Sequence, residues 1–351
     1  MTIAGGNGEK GMAERVLVTG ASGFLGGHCI LQLLAQGWDV RGTVRSPAGF
    51  AAVRARIAAA AGADPGPRLE MTAADLGRDD GWAAAAAGCA FVLHVASPFP
   101  PTQPKSDDEL VAPARDGALR VVRAAAAAGV RRVVMTSSTA AVASGVDPTA
   151  DDVYTEAHFN DPRHRDNTPY SRSKIIAEVA ARAAAKAAGL PFVTINPSAI
   201  LGPVFDADLS TSINLVRRPL QGRIPGAPRI GYAVVDVRDV ADAHLRAMTA
   251  DNVDGERFIA SGGFLWLGEI AEILRRRYPD RAASIKTRPV PDLAIRAMAL
   301  IDPVLKEPAR NLGRRKRYDT RKARTVLGWS PRSDEQTVLD TAESLIRLGL
   351  A

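Results

Sequence analysis

Tyr170 and Lys174, four residues apart in TPYSRSK, form the pair of side chains in this sequence best suited to moving a proton. A phenol titrates near pKa ~10 when unperturbed, and a cation fixed beside it favours the phenolate. Four residues make about one helical turn, so on a helix the ammonium and the phenol share a face. The stretch TPYSRSKIIAEVAARAAAKAAGLP supplies that helix. Thr168 is an N-cap type, Pro169 suits the first helical position, the alanine run has high propensity, and Gly189 with Pro191 beyond it is a stop. Many solvated helix faces carry such a pair, so its meaning depends on the elements that must position it.

The first of those elements is RVLVTGASGFLGGHCILQLLAQGWDVRGTVR. It reads as a strand over 16–19, a turn with Gly20, Gly23 and Gly26, a helix over 24–36 and a second strand over 40–44. Glycines at this spacing turn the chain tightly, bring backbone N–H groups to a pyrophosphate and pack helix against strand. Between a strand and a helix the triplet is a dinucleotide signature, and Ser22, Phe24 and Leu25 share the turn as candidate cofactor contacts. Asp39 lies about twenty residues past Gly20, where an acidic partner for an NAD ribose is often sought. It precedes the strand, however, and five strand residues at ~3.3 Å each leave it roughly 16 Å from that ribose. At the carboxyl end stands Arg45, followed by Ser46, with no carboxylate nearby. An arginine there pairs with a 2′-phosphate, so the expected cofactor is NADPH/NADP+ rather than NAD(H).

Further strands follow in RLEMTAADL, AFVLHVAS at 90–97, RRVVMTSS at 131–138 and PFVTINPS at 191–198, separated by alanine-rich helical segments. The alternation predicts an α/β chain with a doubly wound parallel sheet of the Rossmann type. Asp75 at the tip of the third strand is either an acceptor for the adenine amino group or a helix N-cap. Leu76, Val95, Ala96, Ser97, Pro197, Ala199 and Ile200 also stand at strand ends and complete the candidate cofactor contacts. Thr136-Ser137-Ser138 ends the fifth strand, on the cofactor's edge, where a serine faces the helix of Tyr170 and Lys174.

In that order and near these spacings, TGASGFLG, HVASPF, TSS, YSRSK and NPSAILGP resemble the extended short-chain dehydrogenase/reductases. Within them the chain is most similar to the dihydroflavonol 4-reductase-like group, which includes microbial aldehyde and ketone reductases. The resemblance covers nearly the whole chain, including VDVRDVADAHLRAM and the closing KARTVLGWSPRS. It implies that Tyr170 donates the proton to the reduced carbonyl, Lys174 favours its ionised form and binds the nicotinamide ribose, and Ser138 hydrogen-bonds the substrate oxygen. The alignment of TSSTAAV leaves Ser137 and Thr139 as alternatives for that hydroxyl. Relatives that dehydrate sugar nucleotides have an aspartate and a glutamate just after the active-site threonine, whereas Ala140 and Ala141 follow Thr139 here. The serine-alanine-threonine-valine-tyrosine-glycine run of sugar epimerases is also absent. Plant cinnamoyl-CoA reductases carry an asparagine-tryptophan-tyrosine lead-in, and NTPY here argues against that identity.

Composition narrows the remaining classes. The 351 residues suffice for one large domain or two modest ones. The net charge of +7 is dispersed apart from the basic run at 310–324, which lacks aromatic interleaving or zinc-finger spacing, so no nucleic-acid partner is expected. The two cysteines, Cys29 and Cys89, form no CxxC pair, and the five histidines show no ligand spacing, so no metal is expected. No membrane span is readable, residues 1–13 read as a disordered leader with Met12 as a possible alternative start, and a cytoplasmic monomer or homodimer is the expectation.

The substrate side falls on segments that fit the sheet poorly. The Rossmann domain is expected over 14–200 and 233–263, with a smaller, discontinuous substrate-binding region over 201–232 and 264–351. Pro98 and Phe99 in the proline-rich HVASPFPPTQPK, together with Thr139, Phe205, Leu209 and Ile213, are the candidate pocket residues, with Ile224 a further apolar candidate. His94 reads as a packed residue beside the cofactor. Asp147, Asp151, Asp152 and Glu156 read as a solvated connection. These apolar walls point to an uncharged aldehyde or ketone, and the expected partner is a small-molecule carbonyl substrate. The leading expectation is an NADPH-dependent carbonyl reductase with a Ser/Tyr/Lys site. An NAD-dependent epimerase or hydroxysteroid dehydrogenase-like enzyme, with NAD retained on purification favouring the epimerase form, and a non-catalytic NADP sensor are the alternatives.

Overall fold

A computed structural model describes residues 14–98, 108–143, 153–164, 167–301 and 309–351. Its centre is a seven-stranded parallel sheet. The strands are β1 (Arg15–Thr19), β2 (Asp39–Val44), β3 (Leu69–Ala73), β4 (Phe91–His94), β5 (Arg132–Thr136), β7 (Phe192–Pro197) and β11 (Arg257–Ala260), in the spatial order β3-β2-β1-β4-β5-β7-β11. The sheet strands are short apolar runs because helices cover both faces. On one face α1 (Phe24–Ala35), α2 (Phe50–Ala61) and α7 (Val237–Thr249) bury Ile30, Leu33, Ile57 and Val240. On the other, α3 (Trp82–Ala86), α4 (Asp108–Ala127) and α5 (Pro169–Ala187) pack through small residues, including Ala118, Ala125, Ala177, Ala181 and Ala185. Alanines at i, i+4 and i+8 give α5 a flat stripe on which α4 lies.

Strand order reverses between β1 and β4, the place where a doubly wound sheet opens a crevice at its carboxyl edge. The smaller unit is a three-stranded sheet, β12 (Phe264–Trp266), β10 (Gly231–Asp236) and β8 (Ala199–Leu201), with α6 (Asn214–Leu220), α8 (Leu267–Arg277) and α11 (Asp334–Arg347); the two-residue strands β6 (Val153–Tyr154) and β9 (Ala227–Pro228) pair outside both sheets, and α9 (Asp292–Ile301) and α10 (Arg321–Val326) lie between α8 and α11 in the chain. Its core contains Leu201, Ile213, Val216, Ile270, Leu274 and Leu345. The division between units is interleaved beyond the two segments expected. The strand at 231–236 pairs with the small sheet, and Ala323, Leu327 and Trp329 return to the Rossmann core. Trp329 explains that return, since its indole Nε1 donates to the Asp239 carbonyl at 2.8 Å while its rings are buried.

Candidate functional site

The glycine turn is built for close approach. Gly20 has φ +72, which an L side chain adopts poorly, and a Cβ there would stand 3.0 Å from Ala96 Cα. A Cβ on Gly26 would stand 2.3 Å from the Gly20 carbonyl oxygen, so only glycine lets α1 start against the end of β1. The N-cap of α1 is Gly23, with no side-chain cap and no acidic residue in the first turn. The first N–H groups of a helix lack intrahelical acceptors, so this end is open to an anion and fits a pyrophosphate. Arg56 holds the turn from the side, donating to the carbonyls of Ala21 and Ser22 at 2.7 Å each. The other end of the crevice is tied at Thr19, whose Oγ1 accepts from the Ala96 N–H at 3.0 Å and contacts His94 Nδ1 at 2.9 Å. Burial, with Lys174 nearby, pushes the His94 imidazole down to about 3, so it is neutral and structural.

Arg45 follows β2 at its carboxyl end, exposed and without a carboxylate partner among the described residues. Asp39 lies at the opposite edge, 3.8 Å from Arg68. Asp75 caps no helix: its Oδ1 accepts from the Gly77 N–H at 2.8 Å, in a side-chain turn just past β3. Leu76 packs on Gly117 of α4. Pro197 ends β7, Ala199 and Ile200 lie in β8, and Val95 and Ala96 are half-buried with Ser97 exposed.

The three hydroxyls at the end of β5 separate by their partners. Ser137 Oγ donates to Glu178 at 2.5 Å and is buried. Thr139 is buried with the Tyr318 phenol nearby, and burial pushes that phenol up to about 12. Ser138 Oγ accepts from the Ala140 N–H at 3.1 Å as the cap of a short turn, which leaves its own hydrogen to donate. That turn packs on α5, where Tyr170 is 37% exposed and Lys174 is buried with its ammonium 5.8 Å from the phenol ring centre. Thr168 Oγ1 accepts from the Ser171 N–H at 3.1 Å and fixes the start of the helix. Its end is closed at Gly189, with φ +63.

The candidate pocket residues are not gathered at one wall. Ile213 is fully buried in the core of the smaller unit, and Leu209 packs against that core. Phe205 lies on Gly27 of α1, its ring 4.3 Å from that of His28 with Arg56 on its face. These apolar side chains found the cores nearest them, a choice that composition does not distinguish from lining a pocket. Thr139 is buried near Tyr318, and Pro98 is half-buried. Phe99, Asp147, Asp151, Asp152 and the leader at 1–13 lie outside the described residues. Glu156 is structural, accepting from the Ile259 N–H at 3.0 Å. No group of metal-ligating side chains occurs among the described residues. Glu178, Arg257 and Asn196, which surround the serine turn from behind, escaped the sequence reading. Glu178 looked like any helical glutamate, and Lys174 one turn earlier was the only signal beside it.

Residues 16–260 match the model of the NAD dependent epimerase/dehydratase family. The chain belongs to that family, in its extended short-chain dehydrogenase/reductase branch and the dihydroflavonol reductase-like group. It is 38% identical over 283 residues to cinnamoyl-CoA reductase 1 of Oryza sativa subsp. japonica, covering 80% of each chain. It is also 32% identical over 287 residues to dihydroflavonol 4-reductase of Zea mays, covering 80% of this chain and 78% of that protein. Among solved structures, yeast methylglyoxal/isovaleraldehyde reductase Gre2 complexed with NADPH superposes with a TM-score of 0.77 at 25% identity, over 96% of this chain and 100% of the other. The NTPY lead-in that spoke against the cinnamoyl-CoA reductases is therefore a local difference within a clear kinship.

Proposed function

We propose that the protein is an NADPH-dependent carbonyl reductase that converts aldehydes or ketones to alcohols. The observation that carries this reading is the sorting of the three hydroxyls. Ser137 is committed to Glu178 and Thr139 is buried beside Tyr318, while Ser138 keeps a free hydrogen beside the helix of Tyr170 and Lys174. The bound cofactor would supply the hydride. Gly20, Ser22, Gly23, Phe24, Leu25 and Gly26 would hold its pyrophosphate, Arg45 its 2′-phosphate, and Lys174 its ribose. Ser138 and Tyr170 then bind the carbonyl oxygen where negative charge develops, and Tyr170 delivers the proton. Lys174, buried beside the phenol, keeps a positive charge against it as that proton leaves. The NADPH complex of Gre2 supports the same cofactor here.

No helix among the described residues is long and apolar enough to cross a membrane, and both cysteines are free and buried. We assign the protein to the cytoplasm, as a monomer or homodimer acting on a small-molecule carbonyl. The test is loss of reduced-nicotinamide absorbance with NADPH or NADH and a panel of aldehydes, β-keto esters and aryl ketones. NADPH should be oxidised well in preference to NADH, and Arg45→Ala should erode that preference by about 10- to 100-fold, the value of a charged hydrogen bond to phosphate. Equal use of both cofactors by the unaltered protein would remove Arg45 as the phosphate reader.

A further inference from the structure

Behind the serine turn lies a buried polar cluster in which no group touches the reacting atoms. Glu178 sits one turn past Lys174 on α5 and is fully buried, and Arg257 on β11 is 4% exposed. Arg257 Nε and Glu178 Oε1 form an ion pair at 2.6 Å, out of line for a hydrogen bond. Arg257 Nη1 donates to the carbonyls of Glu156 at 3.1 Å and His158 at 2.8 Å, and Nη2 donates to the Ala141 carbonyl at 3.2 Å. The Phe159 ring covers the guanidinium at 3.9 Å. Glu178 Oε2 accepts from Ser137 Oγ at 2.5 Å and from Asn196 Nδ2 at 3.0 Å, and the same Asn196 Nδ2 donates to the Ser138 carbonyl at 3.1 Å.

Desolvating two ions costs as much as their attraction returns, and apolar pairs of similar volume often replace them without loss of stability. Stability alone therefore accounts poorly for this pair. Part of the cluster reaches the serine turn from three sides: Glu178, on the helix that carries Tyr170 and Lys174, accepts from Ser137, Asn196 donates to the Ser138 carbonyl, and Arg257 donates to the Ala141 carbonyl. Ser138 is extended, with φ −161 and ψ 154, so successive side chains point to opposite sides. Pulling Ser137 onto Glu178 turns Ser138 away from the cluster.

We infer that Glu178 and Arg257 are positioning residues that set the Ser138 hydroxyl against Tyr170. The inference rests on the carbonyl-reductase reading for its kinetic consequence but not for its structural one. Three variants test it: Ser137→Ala, which removes one bond of the cluster; Ser137→Thr, which restores the hydroxyl; and the apolar double replacement Glu178→Leu with Arg257→Met. Ser137→Ala and the double variant should lower kcat by about tenfold or more through misplacement of the serine. NADPH affinity, read by fluorescence, should stay within about twofold, and Ser137→Thr should recover most of kcat. Amide hydrogen exchange supplies a readout free of turnover: residues 138–143 should exchange faster in Ser137→Ala, while the glycine turn at 20–26 should not. A kcat within about twofold of the unaltered protein with unchanged exchange, even if Tm falls, would overturn the inference and leave the pair a stability element. Should no carbonyl be reduced even by the unaltered protein, the carbonyl-reductase reading fails, and exchange at 138–143 still decides whether the cluster holds the turn.

Discussion

Two helices meet the crevice with their amino ends, and those ends are finished differently. The start of α1 has glycine as its N-cap, no capping side chain and no acidic residue. The start of α5 is closed by Thr168 and has Pro169 at its first position. An open end offers unpaired N–H groups and the positive pole of the helix to an anion. A closed end has little to offer a ligand, but it holds the first-turn side chains in place. The difference separates two tasks: the α1 end binds through its backbone, and the α5 end works through side chains, Tyr170 for the proton and Lys174 for the ribose and the charge. Perturbing each end should therefore change different measurements.

The largest effect should come from α5. Tyr170→Phe removes the proton source and leaves the ring, so kcat should fall by about 10²- to 10⁴-fold while NADPH affinity stays nearly constant. Stopped-flow turnover beside fluorescence titration checks both. Weakened cofactor binding to match would mean that the Tyr170 hydroxyl itself holds the cofactor and that the division is wrong.

The converse change closes α1. Gly23 has ordinary extended dihedrals, φ −78 and ψ 166, and a Cβ there meets only the Gly20 carbonyl oxygen, at 3.3 Å. Gly23→Asp supplies a capping carboxylate, and it should stabilise the cofactor-free protein by ~0.5 kcal/mol or slightly more. The same carboxylate would face the pyrophosphate, and affinity for NADPH should fall by about 10²-fold or more. Higher Tm with poorer binding is the expected signature in thermal melts and titrations. Unchanged binding would mean that the pyrophosphate does not lie at this helix end.

The open end was readable in advance because every part of it is local: Gly20, Gly23 and Gly26 fall within seven residues, between one strand and one helix. The Tyr170–Lys174 pair was readable for the same reason. The cluster behind Ser138 was not, because Ser137, Glu178, Asn196 and Arg257 come from four elements, and each residue type is unremarkable where it stands. Phe205 and Ile213 show the complementary limit. An apolar residue in an irregular segment has the same signature whether it lines a pocket or joins a core, and Ile213 is fully buried in one. The seventh strand fell in a segment already placed with the Rossmann unit. The pairing of 231–236 with the small sheet depended on contacts with 199–201 and 264–266, far apart in the chain.

Acid should affect both ends in the same way. His28, one turn into α1, is pushed down to about 4 by burial, with its Nε2 donating to the Pro203 carbonyl at 2.9 Å. His94, near Lys174, is pushed down to about 3, and His244 under β5 to about 4, again mainly by burial. All three bind a proton more readily when unfolded, near pKa ~6.5, than when folded. Unfolding therefore takes up protons between about pH 6.5 and 4, and stability falls as pH drops through that window. Each histidine contributes up to ~1.4 kcal/mol per pH unit there. Urea melts at pH 7.5 and 5 measure the slope, and His28→Gln should reduce it by about one proton. An unchanged slope would mean that His28 can ionise without opening the α1 face.

The mildest change tests the comparison most sharply, because it opens the closed end. Thr168→Ala deletes the bond from the Ser171 N–H and should cost about 1 kcal/mol, a Tm shift of about 2 °C in a chain of this size. The N–H it frees, that of Ser171, lies in the first turn of α5 between Tyr170 and Lys174 in the chain, but the neighbouring turn is already latched from outside. Asn160 and Asn167 exchange side-chain bonds at 2.8 and 3.2 Å, Asn160 Nδ2 donates to the Ala140 carbonyl at 3.0 Å, and Asn167 Nδ2 donates to the Asp161 carbonyl at 2.6 Å. With that latch intact Tyr170 stays in register, so kcat should fall no more than about threefold and NADPH affinity should not change. Gly23→Asp and Thr168→Ala then move stability in opposite directions, and only the first alters binding. If opening α5 instead tightened or weakened NADPH, the cofactor would be sensing both helix ends, and the crevice would be one electrostatic site rather than a binding end and an acting end.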